Sequence, residues 1–299
     1  MILSIGEILF DVFPAYRRLG GAPFNFAYHL KHLGFAVRFT SRVGCDDAGR
    51  EILDRLDVSE FNIGDMQIDP THPTGTVNVE LDVQGSPAFD ITRDVAYDYL
   101  DFSPDLASVL ATPPRLMYFG TLIQRTTVGR NTLREIFAAK SPQTRCLYDI
   151  NLRPGCFHRD LITESLEHAD ILKLNMEELS LLKNIFSYTG SCVLFCNHLM
   201  ERFHLSMICV TRGANGSELY IGKNRYTTTA AGFPSVTDTV GAGDAYTAML
   251  AVGLLSGWSP QRVLSEASRF AARICLIEGA VPTEPNFYDE FIHLIKGEL

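Results

Sequence analysis

Positive charge is the first scarcity in this sequence: 26 lysines and arginines face 35 aspartates and glutamates, leaving a formal charge of −9. That balance excludes a global basic field for nucleic acid or an anionic membrane, while leaving room for a local patch that holds a phosphorylated ligand. Long apolar runs are missing too. The best candidate, Ala245 to Trp258, contains Gly, Ser and Thr and falls short of the ~18 residues expected of a membrane span. The first residues, Met1-Ile2-Leu3-Ser4-Ile5-Gly6-Glu7, have no basic start and reach an acid before a signal-length apolar stretch develops. The expectation is a soluble, cytoplasmic protein. Its 7 cysteines, at 45, 146, 156, 192, 196, 209 and 275, are odd in number and scattered, so they frame no disulfide scaffold and fit a reducing compartment. Cys192, Cys196 and His198 stand close together, yet no second ligand pair follows at zinc spacing, and no metal role is assigned to them. Internal repeats, low-complexity tracts and linkers are absent as well, which leads to one domain over residues 1–299.

What is present is core-forming sequence, 46% apolar against 20% charged, enough to fold rather than stay disordered. From Pro113 onward, short β-branched runs alternate with helical patterns. Leu116 to Thr121, Cys146 to Asn151, Ile171 to Asn175 and Met207 to Thr211 read as buried strands, with Thr127 to Ala139 and Arg159 to Ala169 as helices between them. The alternation predicts an α/β fold with a mostly parallel sheet covered on both faces. Ligands in such sheets bind beyond the carboxyl ends of the strands, where Asp149, Asn151, Arg153, Asn175, Thr211 and Arg212 fall. Thr76 to Leu81 and Ala88 to Thr92 alternate strictly around the turn-rich Asp82 to Pro87, which predicts an antiparallel hairpin. With the strand-like Ile8 to Phe13, this hairpin forms a small lid sheet, its strands at about residues 8–18 and 73–93. Lys183 to Ser206 reads as irregular helix.

Two glycine-rich segments that run into helices carry the chemical signal. In Asp238-Thr239-Val240-Gly241-Ala242-Gly243-Asp244 the small residues leave the first backbone N–H groups open to a phosphate or a developing negative charge. Asp244 there is either a helix cap or a catalytic carboxylate. No Gly-Lys-Ser/Thr ending follows, so this is not a Walker A loop. Leu19-Gly20-Gly21-Ala22-Pro23-Phe24-Asn25 places Pro23 in a first helical turn, and Asn25, a weak helix former, offers an amide to a sugar hydroxyl. Asp11, inside the apolar Leu9-Phe10-Asp11-Val12-Phe13, is costly to bury without hydrogen-bonding partners, and two sugar hydroxyls would supply them. A Gly-x-Gly-x-x-Gly turn is missing after the first strand, against a dinucleotide-binding dehydrogenase.

These two segments, in this order, resemble the two signatures of the ribokinase-like (PfkB) carbohydrate kinases. The likeness runs over essentially the whole chain, through Gly6-Glu7 with Asp11, Pro73-Thr74-Gly75-Thr76-Val77, Asp149-x-Asn151-x-Arg153-Pro154, Lys173-Leu174-Asn175-x-x-Glu178 and Val210-Thr211-Arg212-Gly213. It implies a ribokinase-like three-layer sandwich with a small β lid, using ATP and Mg²⁺. By the same resemblance Asp244 is the catalytic base, and the Gly241, Ala242 and Gly243 amides form the anion hole. Asp11, Gly21 and Asn25 bind the sugar; Arg153, just beyond a strand end, is either a further ligand contact or a surface salt-bridge partner. Thr211 and Gly213 belong to the nucleotide loop, and Asn175 with Glu178 organises Mg²⁺ through its waters. Asp238 and Val240 match positions where several members coordinate a monovalent cation such as K⁺. The lid is also the element through which two copies would pair as a homodimer.

Within the family, the run from Pro73 through the hairpin to Asp98 is most similar to fructokinases, which points to fructose, while the Asp149-to-Pro154 segment is shared by fructokinases and 2-keto-3-deoxygluconate kinases. The alternatives are 2-keto-3-deoxygluconate, whose carboxylate wants more cations than Arg153 supplies, another sugar or nucleoside, and a non-catalytic regulator that binds sugar or nucleotide. Ile150 and Tyr246 depart from the proline and phenylalanine common at their positions in relatives, and neither touches proton transfer.

Overall fold

The computed structural model describes residues 1–81, 87–229, 237–284 and 286–297. Its strands are β1 (Ile2–Ile5), β2 (Leu9–Val12), β3 (Arg17–Gly20), β4 (Val37–Gly44), β5 (Met66–Asp69), β6 (Thr76–Leu81), β7 (Pro87–Ile91), β8 (Leu116–Gly120), β9 (Arg145–Asp149), β10 (Ile171–Asn175), β11 (Met207–Thr211), β12 (Ser217–Ile221) and β13 (Asn224–Thr228). The helices are α1 (Ala22–His32), α2 (Asp47–Val58), α3 (Pro104–Ala111), α4 (Thr127–Ala139), α5 (Arg159–His168), α6 (Met176–Ile185), α7 (Cys192–Phe203), α8 (Ala242–Leu255), α9 (Pro260–Ile274) and α10 (Asp289–Lys296).

Nine strands form one sheet in the order β13-β12-β11-β10-β9-β8-β1-β4-β5, parallel from β11 through β5. Its central strands are apolar on both faces because helices cover both. In β8, Leu116 and Tyr118 pack with α1, α8, α9 and α10, while Met117 and Phe119 pack with α3 to α7. This is the three-layer α/β arrangement of the ribokinase-like fold. The antiparallel edge, β12 and β13 joined at Gly222-Lys223, is not evident from the sequence.

A separate four-stranded sheet has the order β3-β2-β6-β7. Its β6–β7 pair is the expected antiparallel hairpin, with the turn at 82–86 outside the described residues, and β2 pairs parallel with β6. Ile8, Phe10 and Leu19 pack it onto Phe24 of α1 and Phe39 of β4, placing the lid beside the carboxyl ends of the core strands.

Lys183 to Ser206 differs from expectation. It holds the end of α6 and the regular helix α7, capped by Ser191, whose hydroxyl accepts from the Leu194 N–H, with Phe195, Leu199 and Phe203 buried on one face. Among the described residues no helix is long and apolar enough to cross a membrane.

Candidate active site

Helices α1 and α8 meet at their N-termini without a side-chain cap on either. Gly21 precedes α1 with φ 112°, and a Cβ there would lie 2.5 Å from the Glu7 carbonyl oxygen. Gly241 precedes α8 with φ 76°, and its Cβ would lie 2.3 Å from that of Ala280. Only glycine permits both the backbone angle and the approach. The N–H groups of Gly241, Gly243 and Asp244 have no hydrogen-bond partner among the described residues. Ala242 differs from its neighbours: its N–H donates to the Thr239 carbonyl at 3.3 Å. The open amides at this turn are therefore those of Gly241, Gly243 and Asp244.

Asp244 is not the cap of its helix. It lies in the first turn beyond Gly241, and its Oδ2 accepts from Asn25 Nδ2 at 2.8 Å rather than from the backbone. That bond binds the two signature segments to each other and leaves Oδ1 open. Burial pushes the Asp244 carboxyl up to about 6, the Asn25 bond and Lys173 opposing and Asp149 reinforcing the shift.

Both helix ends open into a cleft of about 430 Å³. Asp11, Gly21, Asn25 and Arg153 line it, together with Glu7. The Asp11 carboxylate has no hydrogen-bond partner among the described residues, and burial lifts it to about 6 against the pull of Arg153. Glu7 is 5% exposed with Oε2 unpartnered, and burial lifts it to about 7. Asn25 Oδ1 is unpartnered too. These orphaned atoms are mostly acceptors, so a ligand that satisfies them must bring donors, as hydroxyl groups do.

Lys173 lines the same cleft. Lys173 is buried inside the apolar strand β10, its ammonium 3.1 and 3.2 Å from the Asp149 carboxylate, which also accepts from Thr247 at 2.8 Å. Burial opposes its charge, but Asp149, Glu178 and Asp244 outweigh burial and hold the ammonium above its ordinary value. Nζ would lie 3.3 Å from a Cβ on Gly243, directly beneath the open amides. Sequence reasoning assigned Lys173 no role; the signal was a lysine within an apolar parallel strand. Asn175, Glu178 and Thr211 line the same cleft, as do Asp238 and Val240, whereas Gly213 is not among its lining residues and sits in a turn with φ 53°.

Residues 13–286 match the pfkB family carbohydrate kinase pattern. The chain belongs to that family. It is 28% identical over 297 residues to a fructokinase of Klebsiella pneumoniae, covering 94% of this chain and 92% of that one. An uncharacterized sugar kinase of Pyrococcus horikoshii, solved in complex with ATP, superposes with a TM-score of 0.78 at 25% identity over 94% of both chains. A fructokinase double mutant of Vibrio cholerae, solved with fructose, ADP and potassium ion, shares the fold at a TM-score of 0.78 and 22% identity, over 96% of this chain and 97% of that one.

The two ions that the family implies fare differently here. Glu178 accepts from the Asn175 and Leu152 N–H groups at 2.7 and 2.9 Å, and Asn175 Oδ1 accepts from the Glu178 N–H at 2.9 Å. This reciprocal cap leaves outward lone pairs that suit a hydrated Mg²⁺, which keeps most of its waters. At Asp238, Oδ1 accepts from the Val240 N–H and Oδ2 from the Gly279 N–H, both at 3.0 Å, while Arg18 Nη1 stands 3.3 Å from Oδ2. A monovalent cation does not fit beside a guanidinium already at that corner.

Proposed function

We propose that this carbohydrate kinase transfers the γ-phosphate of ATP to a hydroxyl of a neutral sugar, fructose first. The observation carrying the reading is the Asn25 to Asp244 hydrogen bond of 2.8 Å beside the open amides of Gly241 and Gly243. With Oδ2 held by Asn25, Oδ1 is the oxygen that accepts the proton of the sugar hydroxyl. The hydroxyl oxygen then forms its bond to the γ-phosphorus as the bond to the β-phosphate oxygen breaks and ADP leaves. The Gly241 and Gly243 amides and the Lys173 ammonium face charge that develops on the transferred group. Mg²⁺, when bound with ATP near Asn175 and Glu178, neutralises phosphate charge. Thr211 lies toward the nucleotide, and Asp11, Gly21, Asn25 and Arg153 toward the sugar.

The preference for a neutral sugar rests on the acceptors Glu7, Asp11 and Asn25 Oδ1, which would repel a carboxylate. Arg153 is the feature that favours a sugar acid such as 2-keto-3-deoxygluconate, since it lines the same cleft as these acceptors. An ADP-release assay across fructose, tagatose, ribose, 2-keto-3-deoxygluconate and adenosine decides. Highest kcat/KM on fructose supports the reading, preference for the acid transfers the role to Arg153, and no release with any acceptor favours a binding protein. Asp11→Ala should raise the sugar KM and leave ATP affinity unchanged; equal weakening of both removes Asp11 from the sugar site.

A further inference from the structure

The corner beneath the anion hole is held together by one carboxylate. Asp238 accepts from Val240 on the loop that leads into α8 and from Gly279 on the segment after α9. The N–H groups of Thr237 and Asp238 donate to the Cys275 carbonyl at 2.8 and 3.3 Å, and Ala280 closes against Gly241. Into this corner reaches Arg18, from lid strand β3, more than two hundred residues away in sequence. Its Nη1 lies 3.3 Å from Asp238 and its Nη2 2.8 Å from Glu278. The guanidinium is aimed by the Tyr16 ring, 4.7 Å from its carbon, and by Phe13 at 5.6 Å.

We propose that Arg18 stands in for a monovalent cation: its guanidinium compensates Asp238 and ties the two loops under the anion hole, so that nucleotide binding here does not depend on potassium. A planar, permanently charged fork can bridge two carboxylates as a point-like ion on loop oxygens would, and it excludes a second cation by charge. Because Arg18 belongs to the lid, the same contact makes the anion hole sensitive to lid position, which a free ion would not do. Arg18 is a positioning residue, acting through Asp238.

The inference rests on the kinase reading only in assuming that ATP is bound. Isothermal titration with a non-hydrolysable ATP analogue, with Mg²⁺ and at fixed ionic strength, compares choline chloride with potassium chloride. Wild-type affinity should agree within about twofold between the salts, while Arg18→Gln should bind about tenfold more weakly in choline and recover in potassium. Arg18→Lys should stay close to wild type. Wild-type binding that tightens about tenfold on adding potassium overturns the proposal. So does an Arg18→Gln variant that binds normally in choline, or one whose weakening potassium does not relieve. The wild-type comparison needs no variant and stands even if Arg18→Gln does not fold. A wild-type chain without affinity for the nucleotide overturns the kinase reading, and this inference with it.

Discussion

Helices α2, α3, α4, α5, α6, α7 and α9 each begin on a residue whose side chain accepts a first-turn N–H: Asp46, Ser103, Thr126, His158, Asn175, Ser191 and Ser259 in turn. Helices α1 and α8 begin on Gly21 and Gly241 with no such bond, and both face the cleft, while α10, away from it, begins on Tyr288 also without one. A cap satisfies the helix end from within; a bare glycine leaves that end to be satisfied by something arriving from outside. Apart from Asn175, whose cap also lines the cleft, the capped starts hold the scaffold together, whereas the two glycine starts leave donors open to the cleft. Substitutions at the two kinds of helix start should separate activity from stability.

The largest separation is expected at Asp244. Asp244→Asn should lower kcat by about 10²-fold or more, since an amide cannot take the hydroxyl proton. Its melting temperature should not fall, because the side chain caps nothing and the amide removes a carboxyl that burial holds above its ordinary value. A variant that keeps wild-type turnover removes Asp244 from the chemistry. Wild-type kcat/KM should also fall as pH drops through about 6, where Asp244 and Asp11 take up protons; a flat profile down to pH 5 would contradict those assignments.

Gly243→Ala should drive stability and activity in opposite directions. Alanine favours a helix over glycine by roughly 1 kcal/mol, so melting should rise if the site tolerates the methyl group. That methyl would stand 3.3 Å from the Lys173 ammonium and crowd the anion hole, and a fall in kcat of roughly tenfold is expected. Parallel changes in both quantities would erase the distinction between the two kinds of helix start.

Glu7 offers a pH-dependent version of the same test. Its carboxyl titrates at about 7 in the native state against 4.5 ordinarily, so the native state holds the proton more tightly than the unfolded chain does. Native stability from this group is then greatest below about 4.5 and declines as pH rises through about 7. Glu7→Gln should stabilise the apoprotein by on the order of 2 kcal/mol at pH 8 and by nothing at pH 4, read by denaturant unfolding. Equal stabilisation at both values would mean that charge burial is not the cause.

The smallest effect lies at a capped start far from the cleft. Ser259→Ala removes the oxygen that accepts from the Arg262 N–H at the head of α9 and should cost about 1 kcal/mol of stability with kcat unchanged. A loss of turnover there would show that scaffold and site are not separable.

Much of this was legible before any coordinates, where burial and period agreed. Ile171–Asn175, Met207–Thr211 and Thr127–Ala139 have the bounds expected of them, because apolar parallel strands and an amphipathic helix each leave an unambiguous pattern. The edge hairpin Ser217–Thr228 was not legible: Asn224-Arg225-Tyr226-Thr227-Thr228 is largely exposed, so no alternation marks it. In the site, glycines and carboxylates announce themselves by type, whereas partnership does not. Nothing in the order of residues reveals that Asn25 occupies one oxygen of Asp244, that Lys173 pairs with Asp149, or that Arg18 crosses to Asp238. Those contacts join segments that meet only once the sheet has been assembled.

The lid owes its own assembly to that sheet. Strand β2 pairs in parallel with β6, Phe10 against Thr76, and the chain between them builds α1, β4, α2 and β5 of the core. A parallel pair cannot be closed by a tight turn, so the lid is not a hairpin inserted into a finished protein but a seam between two distant stretches. It cannot be cut out, or grafted onto another scaffold, as one contiguous piece. Any recombination that exchanges residues 9–20 between relatives without also exchanging 76–91 would split that seam, and the natural crossover points for building chimeric kinases lie outside both.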